Sequence, residues 1–315
     1  MCNKPILFIV FNRPNTTKLI LDVLKRNKPK FLYIASDGPR KEVDGDKLLV
    51  NEVRKICENI DWECNVERLY QTENLGCSLG PRTALSWFFS IEEEGIILED
   101  DCLPNDDFFK FCELLLEYYR NNDRILNICG SNMGYSSLAN SSYFYSRFMN
   151  MSGWATWRRS ANEIDYELKH WKKTKNKKIK SYKLLRQDFF DFDLGWYRYW
   201  YHKFNLTVQN EFISWWDWQW IYYQLENKKL SIIPNKNLVK NIGFNSDATH
   251  TIDPNNPLSN IPTENIDFPI VHPRKVKLDF IYEEFAVKWV WCYHKRLPTI
   301  FYVKQFVSKF IRSAK

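Results

Sequence analysis

The hydrophobic positions of the first hundred residues alternate between short apolar runs and helical spacing. Residues 6–10 (ILFIV) form a continuous apolar run, which is typical of a parallel strand buried on both faces. Residues 16–26 place Leu, Ile and Val at helical spacing, and residues 31–35 form the next apolar run. The alternation continues with predicted helices at 48–60 and 78–93 and predicted strands at 67–71 and 95–99. This order predicts a parallel sheet with helices on both faces.

Beyond residue 105 the alternation is less regular. A helix is predicted at 106–119 and a strand at 125–129, and an aromatic, polar segment without a clear period begins at Gly130. The remaining predicted elements are a helix at 215–225 and short strands at 231–233 and 238–239. Residues 243–275 are rich in Asn, Pro and Asp, and we expect them to be mostly loop.

Three consecutive acids, Glu99, Asp100 and Asp101, end the predicted strand at 95–99. Clustered like charges at the end of a buried strand repel one another and lose hydration. A divalent cation such as Mg2+ or Mn2+ removes this repulsion, because hard cations bind carboxylate oxygens. Since ligands bind at the carboxyl ends of strands in open α/β sheets, the triplet predicts a metal site that handles phosphates. The alternative is a solvated loop or the first turn of the helix that follows.

Two other polar segments follow predicted strands and are therefore expected at the same edge of the sheet. Arg13 follows the first strand and can hold a phosphate or carbonyl oxygen. Asp37 follows the second strand and can accept a hydrogen bond from a base N–H or a ribose hydroxyl. Turn geometry alone also explains an aspartate at this position.

A lone acid, Asp217, lies among four tryptophans in residues 215–220 (WWDWQW). Aromatic rings can enclose a sugar ring, and partial burial raises an aspartate pKa toward general-base behaviour. The alternative is that Asp217 caps a helix whose tryptophans pack in the core, and the two roles are compatible. His250, within residues 248–251 (ATHT), is a candidate metal ligand, with a structural histidine as the alternative.

Composition and charge narrow the class of protein. The 315 residues suffice for one large domain or two small ones, and 13 Trp, 17 Tyr and 22 Phe favour a carbohydrate or nucleotide site. A net charge of +7 favours phosphate-bearing ligands or an anionic membrane surface. The eight cysteines form no CxxC pair, and no signal peptide or membrane span is evident, so we expect a cytoplasmic protein with reduced thiols. The absence of GxxxxGK[ST] and GxGxxG argues against P-loop kinases and typical dinucleotide oxidoreductases.

Two basic segments are independent of these motifs. Residues 171–183 (WKKTKNKKIKSYK) are lysine-rich and predict a solvated helix or loop. Residues 288–315 contain seven Lys or Arg and no acid. If residues 298–315 are helical, their apolar and basic side chains lie on opposite faces. Such a helix can lie on an anionic membrane surface or pack on the domain with its lysines outward.

Seven segments together resemble the GT-A fold nucleotide-sugar glycosyltransferases, in particular bacterial relatives of the N-acetylglucosaminyltransferase I group. The resemblance covers residues 4–251, and the combination is more specific than any one segment. The segments are PILFIVFNRP (5–14), SDGPR (36–40), NLGCSLG (74–80), GIILEDDCLPNDDFF (95–109), GWATWRR (153–159), WDWQW (216–220) and NLVKNIGFNSDATHT (237–251).

The resemblance implies an α/β fold of the GT-A (Rossmann-like) type, with a mostly parallel central sheet flanked by helices and a C-terminal helical extension. Residues 1–251 would form the catalytic domain, and residues 252–315 a loop-rich segment with the basic tail. Asp101 would bind the Mn2+ or Mg2+ that holds the donor diphosphate, Asp100 would lie near the ribose, and Glu99 would support them.

The remaining site residues also follow from the resemblance. Arg13 and Asp37 match nucleotide-binding positions, and Asp217 matches the catalytic base of inverting members. Asn74 and Arg82 are candidates to replace a base-binding histidine of the animal enzymes. The candidates for the donor-sugar or acceptor pocket are Trp154, Trp157, Trp216 and Trp218.

The sequence therefore predicts a metal-dependent, inverting glycosyltransferase. Its donor would be a nucleotide-diphosphate sugar, with UDP-sugar expected, and its acceptor a hydroxyl of a bacterial surface glycan or lipid-linked saccharide. A basic tail on an anionic membrane surface would place the protein at the inner face of the membrane. The alternatives are a retaining transferase on the same fold and a non-catalytic glycan-binding protein. The acids at the predicted cleft argue against a nucleic-acid partner.

Overall fold

The structure is a computed structural model that describes residues 2–137, 139–176, 184, 194–209, 213, 215–243, 258–259 and 261–287. Three features discussed above lie outside these residues: most of the lysine-rich segment, His250, and the tail 288–315. No helix within the described ranges is both long and apolar enough to cross a membrane.

The strands and helices have the following bounds. The strands are β1 Ile6–Val10, β2 Phe31–Ser36, β3 Asn65–Tyr70, β4 Glu94–Glu99, β5 Cys102–Pro104, β6 Ile125–Cys129, β7 Tyr143–Ser146, β8 Trp154–Trp157, β9 Leu230–Pro234 and β10 Val239–Asn241. The helices are α1 Pro14–Asn27, α2 Asp46–Glu58, α3 Gly76–Ile91, α4 Asp106–Tyr119, α5 Arg158–Ala161, α6 Lys169–Thr174, α7 Leu194–Gln209, α8 Trp218–Glu226 and α9 Phe280–Phe285.

An eight-stranded mixed sheet forms the centre of the fold, in the order β3-β2-β1-β4-β8-β6-β9-β7. Neighbouring strands from β3 to β4 are parallel, β8 is antiparallel to both β4 and β6, and β9 is parallel to β6. Only β8 and the edge strand β7 therefore run against the other six strands of this sheet. This arrangement confirms the predicted α/β fold class with a mostly parallel sheet flanked by helices.

Successive residues of the central strands enter two different cores, because side chains alternate across a strand. In β1, Ile6 and Phe8 pack with residues of α1, α2 and α4. Leu7 faces the opposite side and packs with residues of α3 and α8. Burial on both faces explains why β1 and β4 are continuous apolar runs in the sequence.

A short strand separates the acidic triplet from the next helix. After Asp101, β5 pairs with β10 in an antiparallel ribbon that places Cys102 opposite Asn241. Helix α4 begins only at Asp106, and its N-cap is Asn105, whose side chain accepts a hydrogen bond from the Phe108 backbone N–H. The alternative that the triplet belongs to the first turn of this helix is therefore wrong.

Two departures from the predicted elements affect the site. The segment after Gly130 contains β7 and β8, which were not predicted, because these strands have only four residues each and are buried on both faces. Helix α8 begins at Trp218 rather than at residue 215, so Trp215 and Trp216 precede the helix.

A buried ion pair fixes α9 to the edge strand β7. The Glu283 carboxylate accepts hydrogen bonds from the Arg147 backbone N–H at 2.6 Å and the Ser146 hydroxyl at 2.9 Å. The Arg147 guanidinium donates to it at 2.7 and 2.8 Å. Burial raises the pKa of Glu283, and the charge of Arg147 opposes that shift. Each charge is therefore stabilised by the other.

Replacing Arg147 should cost far more stability than replacing both partners. Arg147→Met leaves the Glu283 carboxylate buried without a cation, and we expect a loss of about 3–5 kcal/mol in the free energy of unfolding. Arg147→Met combined with Glu283→Leu removes the uncompensated charge and should recover part of that loss. Urea denaturation of both variants measures the difference, and a double variant at least as unstable as Arg147→Met would contradict this account.

Candidate active site

A cavity of about 460 Å³ lies at the carboxyl ends of the parallel strands, on the α3 side of the sheet. Its apolar lining includes Ile9, Ala35, Leu69 and Ala84, which are contributed by β1, β2, β3 and α3. Its polar lining includes all three acids of the triplet and Asp217. The fold therefore brings the acidic triplet and Asp217 together in one cavity.

The order of the strands sets the order of polar groups along the cavity. Neighbouring strands are about 4.8 Å apart, so the groups that follow two neighbouring strands are separated by about that distance. Starting from the β3 end, the lining comprises Gln71 after β3, Asp37 after β2, Arg13 after β1, residues 99–101 at the end of β4, and residues 150–152 before β8. The acids thus lie in the middle of the cavity.

Arg13 is held by the acids. Its Nη1 donates to Asp100 Oδ1 at 2.9 Å and lies 3.4 Å from Asp101 Oδ2. The other oxygen of Asp100 accepts the Phe11 backbone N–H at 3.1 Å. The Asp100 side chain is 8% exposed and that of Asp101 is 21% exposed. Asp101 is therefore the more accessible of these two carboxylates.

The negative charge at this point exceeds the positive charge. Burial raises the pKa of Glu99 well above its ordinary value, and the charges of Asp101, Asp100 and Asp217 raise it further. Burial also raises the pKa of Asp100 to about 6, although Arg13 opposes the shift. Arg13 lies beside the triplet and Lys203 interacts with Asp217, so four carboxylates face two cations. Carboxylate oxygens are hard donors of the kind that a divalent cation prefers.

In the described ranges, no group of three or more His, Cys, Asp and Glu side chains is arranged to hold a metal ion. The fit to a cation therefore rests on the charge and donor chemistry of these acids.

The β5–β10 ribbon and the residues that follow it contact Asp101. The Asp101 carbonyl accepts the Ile242 backbone N–H at 2.8 Å. A Cβ atom added at Gly243 would lie 2.5 Å from Asp101 Oδ2, closer than real Cβ atoms approach another atom. Gly243 therefore fixes the space available to the Asp101 carboxylate. This role of Gly243 depends on a close approach in three dimensions that the sequence does not show.

The Asp37 carboxylate organises the loop before α3. It accepts backbone N–H groups from Gly38 and Leu75 at 2.8 Å and from Gly76 at 2.9 Å, and the Asn74 amide at 3.1 Å. Burial raises the pKa of Asp37, and these backbone hydrogen bonds oppose the shift. Asp37 and Asn74 both line the cavity, but their polar atoms are largely engaged with each other and with the loop.

Arg82 lies outside the cavity lining. Its guanidinium carbon lies 4.4 Å from the ring centroid of Tyr166, and its Nε is buried without a hydrogen-bond partner. The prediction that Arg82 holds the nucleotide is therefore not supported by its position. The physical reason is that Arg82 lies on helix α3, where its guanidinium packs over an aromatic ring.

Of the four predicted tryptophans, only Trp216 lines the cavity. Trp154 is fully buried behind it, with ring centroids 6.1 Å apart. Trp157 packs in the core on the other face of the sheet, where its indole donates to the Leu116 carbonyl. Trp218 stacks on Trp215 at 4.2 Å, and Trp215 is the ring that lines the cavity. The positions of Trp154, Trp157 and Trp218 therefore do not support a direct role in a sugar pocket.

Asp217 occupies the N-cap position of α8. Its carbonyl accepts the backbone N–H groups of Trp220 at 3.1 Å and Ile221 at 3.2 Å, which fixes its backbone. Its side chain makes no capping hydrogen bond and lines the cavity. The neighbouring Trp216 contacts Trp154 at the start of β8, so Asp217 lies toward the β8 side of the acids. The cap position and a role in the cavity are thus compatible.

Sequence reasoning missed several residues of the cavity wall. Gln71 follows β3 as Asp37 follows β2, so the same strand-end rule would have found it. Met133 and residues 150–152 also line the cavity. They were missed because they flank β6 and the unpredicted strand β8.

The chain was compared with protein families, curated proteins and solved structures. No family model matches the sequence, and no curated protein matches it either. Among solved structures, one match is the mannosyltransferase PcManGT from Pyrobaculum calidifontis in complex with GDP-Man and Mn2+. It has 15% identity and a TM-score of 0.34, and the match covers 50% of this chain and 45% of that chain.

Two other glycosyltransferase structures match the chain. Mouse xyloside xylosyltransferase 1 has 9% identity and a TM-score of 0.37, with 73% of this chain and 84% of that chain covered. The glycosyltransferase GlyE of Streptococcus pneumoniae TIGR4 has 11% identity and a TM-score of 0.27, with 69% and 46% covered. At these identities and TM-scores, the matches assign neither a family nor an activity to this chain.

Replacing Asp37 should destabilise the loop before α3. Asp37→Ala leaves three backbone N–H groups without their acceptor, and each unsatisfied buried group costs about 1–3 kcal/mol unless water replaces the carboxylate. Asp37→Asn keeps one oxygen and should lose less. Asp22→Ala, on the exposed side of α1, is the control and should change the free energy of unfolding by less than about 0.5 kcal/mol. Equal stability of the Asp37→Ala and Asp22→Ala variants would contradict this account.

Proposed function

We propose that the protein is a metal-dependent glycosyltransferase that uses a nucleotide-diphosphate sugar. The observation that carries the proposal is the grouping of Glu99, Asp100 and Asp101 with Asp217 in one cavity at the carboxyl edge of the sheet. This grouping supplies hard oxygen ligands in the middle of the cavity and a separate carboxylate toward one side.

The order of groups along the cavity suggests how the donor lies. The apolar lining from Ile9, Ala35 and Leu69, with Gln71 at the rim, suits a base and ribose at the β2–β3 end. From β2 to β4 is two strand spacings, or roughly 10 Å, which brings the diphosphate to Asp101. The sugar then lies beyond the acids, toward Trp216 and Asp217.

Asp101, with Glu99 beside it, would hold the cation. A bound Mn2+ or Mg2+ would neutralise the charge that develops on the leaving diphosphate. Arg13 keeps Asp100 and Asp101 in place and balances part of their charge. Gly243 limits the positions that the Asp101 carboxylate can take.

Asp217 would act as the general base. It takes the proton from an acceptor hydroxyl while the hydroxyl oxygen attacks the anomeric carbon. The new bond forms as the bond from that carbon to the diphosphate oxygen breaks, and the electron pair leaves with the diphosphate. The anomeric carbon passes through an oxocarbenium-like state, and attack opposite the leaving group inverts its configuration.

The acceptor is proposed to be a hydroxyl of a bacterial surface glycan or a lipid-linked saccharide. The aromatic rings of Trp215 and Trp216 in the cavity support a carbohydrate ligand, since apolar sugar faces pack on rings. The basic composition of residues 288–315 supports contact with an anionic membrane, where a lipid-linked acceptor would be found.

Metal-dependent donor binding should depend on Asp101 and on the space that Gly243 leaves. In thermal-shift titrations with a panel of UDP- and GDP-sugars, Mn2+ should increase the stabilisation by the correct donor. Asp101→Asn should abolish that increase. Gly243→Ala, which keeps every acid, should reduce it. Asp44→Asn removes an exposed charge and is the matched control, which should behave as the unmodified protein. A full Mn2+ effect in Asp101→Asn would overturn the metal assignment.

Replacing the proposed base should stop transfer without weakening the donor complex. An asparagine at position 217 cannot take a proton, so kcat should fall by about 10²–10⁴-fold while donor affinity stays within about twofold. The anomeric configuration of the product, read by NMR with the acceptor in excess, should be inverted relative to the donor. A retained configuration would reject Asp217 as the base and favour a retaining transferase. Donor binding without any hydrolysis or transfer would favour a glycan-binding protein.

A further inference from the structure

Asn150 lies at the end of the cavity where the donor sugar is proposed. It lines the cavity and is only 4% exposed. Trp154 pairs with Ile97 in the antiparallel β4–β8 register, so the residues ahead of Trp154 run alongside the residues that follow Ile97. Residues 150–152 and residues 99–101 all line the cavity, and β8 lies on the side of β4 away from β1 and β2.

Hydrogen bonds with Ser131 and with the buried Tyr282 hold the Asn150 side chain, and a third contact holds its backbone. Its Nδ2 donates to the Ser131 carbonyl at 2.5 Å, and its backbone N–H donates to Cys129 Sγ at 3.4 Å. A carbonyl oxygen can only accept, so the amide nitrogen must face Ser131 and the amide cannot be flipped. The Oδ1 atom is therefore the free end of the amide.

Asn150 Oδ1 is buried and has no hydrogen-bond partner among the described residues. Leaving a buried acceptor unsatisfied is unfavourable, and native proteins rarely do so unless a ligand or water supplies the donor. Diphosphate oxygens and ionised carboxylates only accept hydrogen bonds, so they cannot satisfy this atom. A sugar hydroxyl or an acetamido N–H can.

We propose that Asn150 is a specificity residue for the donor sugar, whose Oδ1 accepts a hydrogen bond from a hydroxyl or N–H of the transferred sugar. The inference rests on the proposed function, and it adds a sugar contact that lies beyond the acids. It follows that Asn150 contributes to binding of the nucleotide sugar and contributes nothing to binding of the nucleoside diphosphate alone.

Calorimetric titrations in the presence of Mn2+ test this separation. The ligands are UDP-glucose, UDP-N-acetylglucosamine and GDP-mannose, together with UDP and GDP. For whichever sugar nucleotide binds, Asn150→Ala should weaken its affinity by about 10- to 100-fold and leave the affinity for its free diphosphate within about twofold. Asn74→Ala, at the nucleotide end, is the matched control and should weaken both ligands together, because Asn74 supports the loop that lines that end.

The outcomes separate this inference from the proposed function. If Asn150→Ala weakens the sugar nucleotide and the diphosphate equally, or weakens neither, Asn150 does not read the sugar and the inference is overturned, while the proposed function stands. If the unmodified protein binds none of these ligands, the proposed function fails and the inference fails with it. Urea denaturation of Asn150→Ala checks that the variant is folded at the titration temperature.

Deoxy analogues of the donor sugar identify the hydroxyl. In the unmodified protein, one analogue should lose affinity by the same factor as the Asn150→Ala substitution. That analogue should lose no further affinity in Asn150→Ala, because the interaction has already been removed. Independent, multiplicative losses for every analogue would contradict a direct contact with Oδ1.

Discussion

The repulsion among Glu99, Asp100 and Asp101 is the constraint on which the rest of the site depends. Two like charges 4 Å apart repel by about 4 kcal/mol at an effective dielectric constant of 20, so three adjacent carboxylates at the end of a buried strand need compensation. The fold supplies part of it, through the Arg13 guanidinium and the Phe11 backbone N–H. Burial and, after it, the charges of Asp101, Asp100 and Asp217 raise the pKa of Glu99, and Arg13 opposes these effects only in part. A divalent cation would complete the compensation, which is the physical basis of the proposed function.

The order of the strands determines where the acids lie relative to the other groups of the cavity. Four parallel strands bring three loops and the acids to one edge, and the antiparallel strand β8 brings the chain ahead of Trp154 back to the same edge. Without β8, the cavity would lack residues 150–152 and the ring against which Trp216 packs. In the proposed function, the nucleotide lies at the β2–β3 end and the sugar at the β8 end, with the acids between them. Asn150 and Asp217 lie on the second side.

Much of the sheet could be predicted from the sequence, because β1, β2 and β4 are buried on both faces and appear as continuous apolar runs. The placement of Arg13, Asp37 and the acids at one edge followed from parallel topology alone. Strand β8 could not be predicted, since the four residues WATW have neither the length nor the alternation that identifies a strand. The cavity wall before it was missed for the same reason.

The roles of individual side chains were harder to predict than their positions. Asp37 reaches the cavity, but its carboxylate is committed to backbone N–H groups of a loop far from it in sequence. Trp154 and Trp157 closely follow the lining residue Ser152, yet both are core residues, because sequence proximity does not reveal which face of the sheet a side chain enters. That Asn150 Oδ1 accepts no hydrogen bond can be recognised only from the three-dimensional structure.

The central claim is that the acids at the end of β4, Asp101 above all, hold a cation that binds the donor diphosphate. Anomalous diffraction from crystals grown with Mn2+ and UDP tests it directly. The account predicts a manganese peak within bonding distance of an Asp101 carboxylate oxygen, with the diphosphate bound to the same ion and the uridine toward β2 and β3. A bound UDP with no manganese at Asp101, or with its uridine toward residues 150–152, would contradict the account.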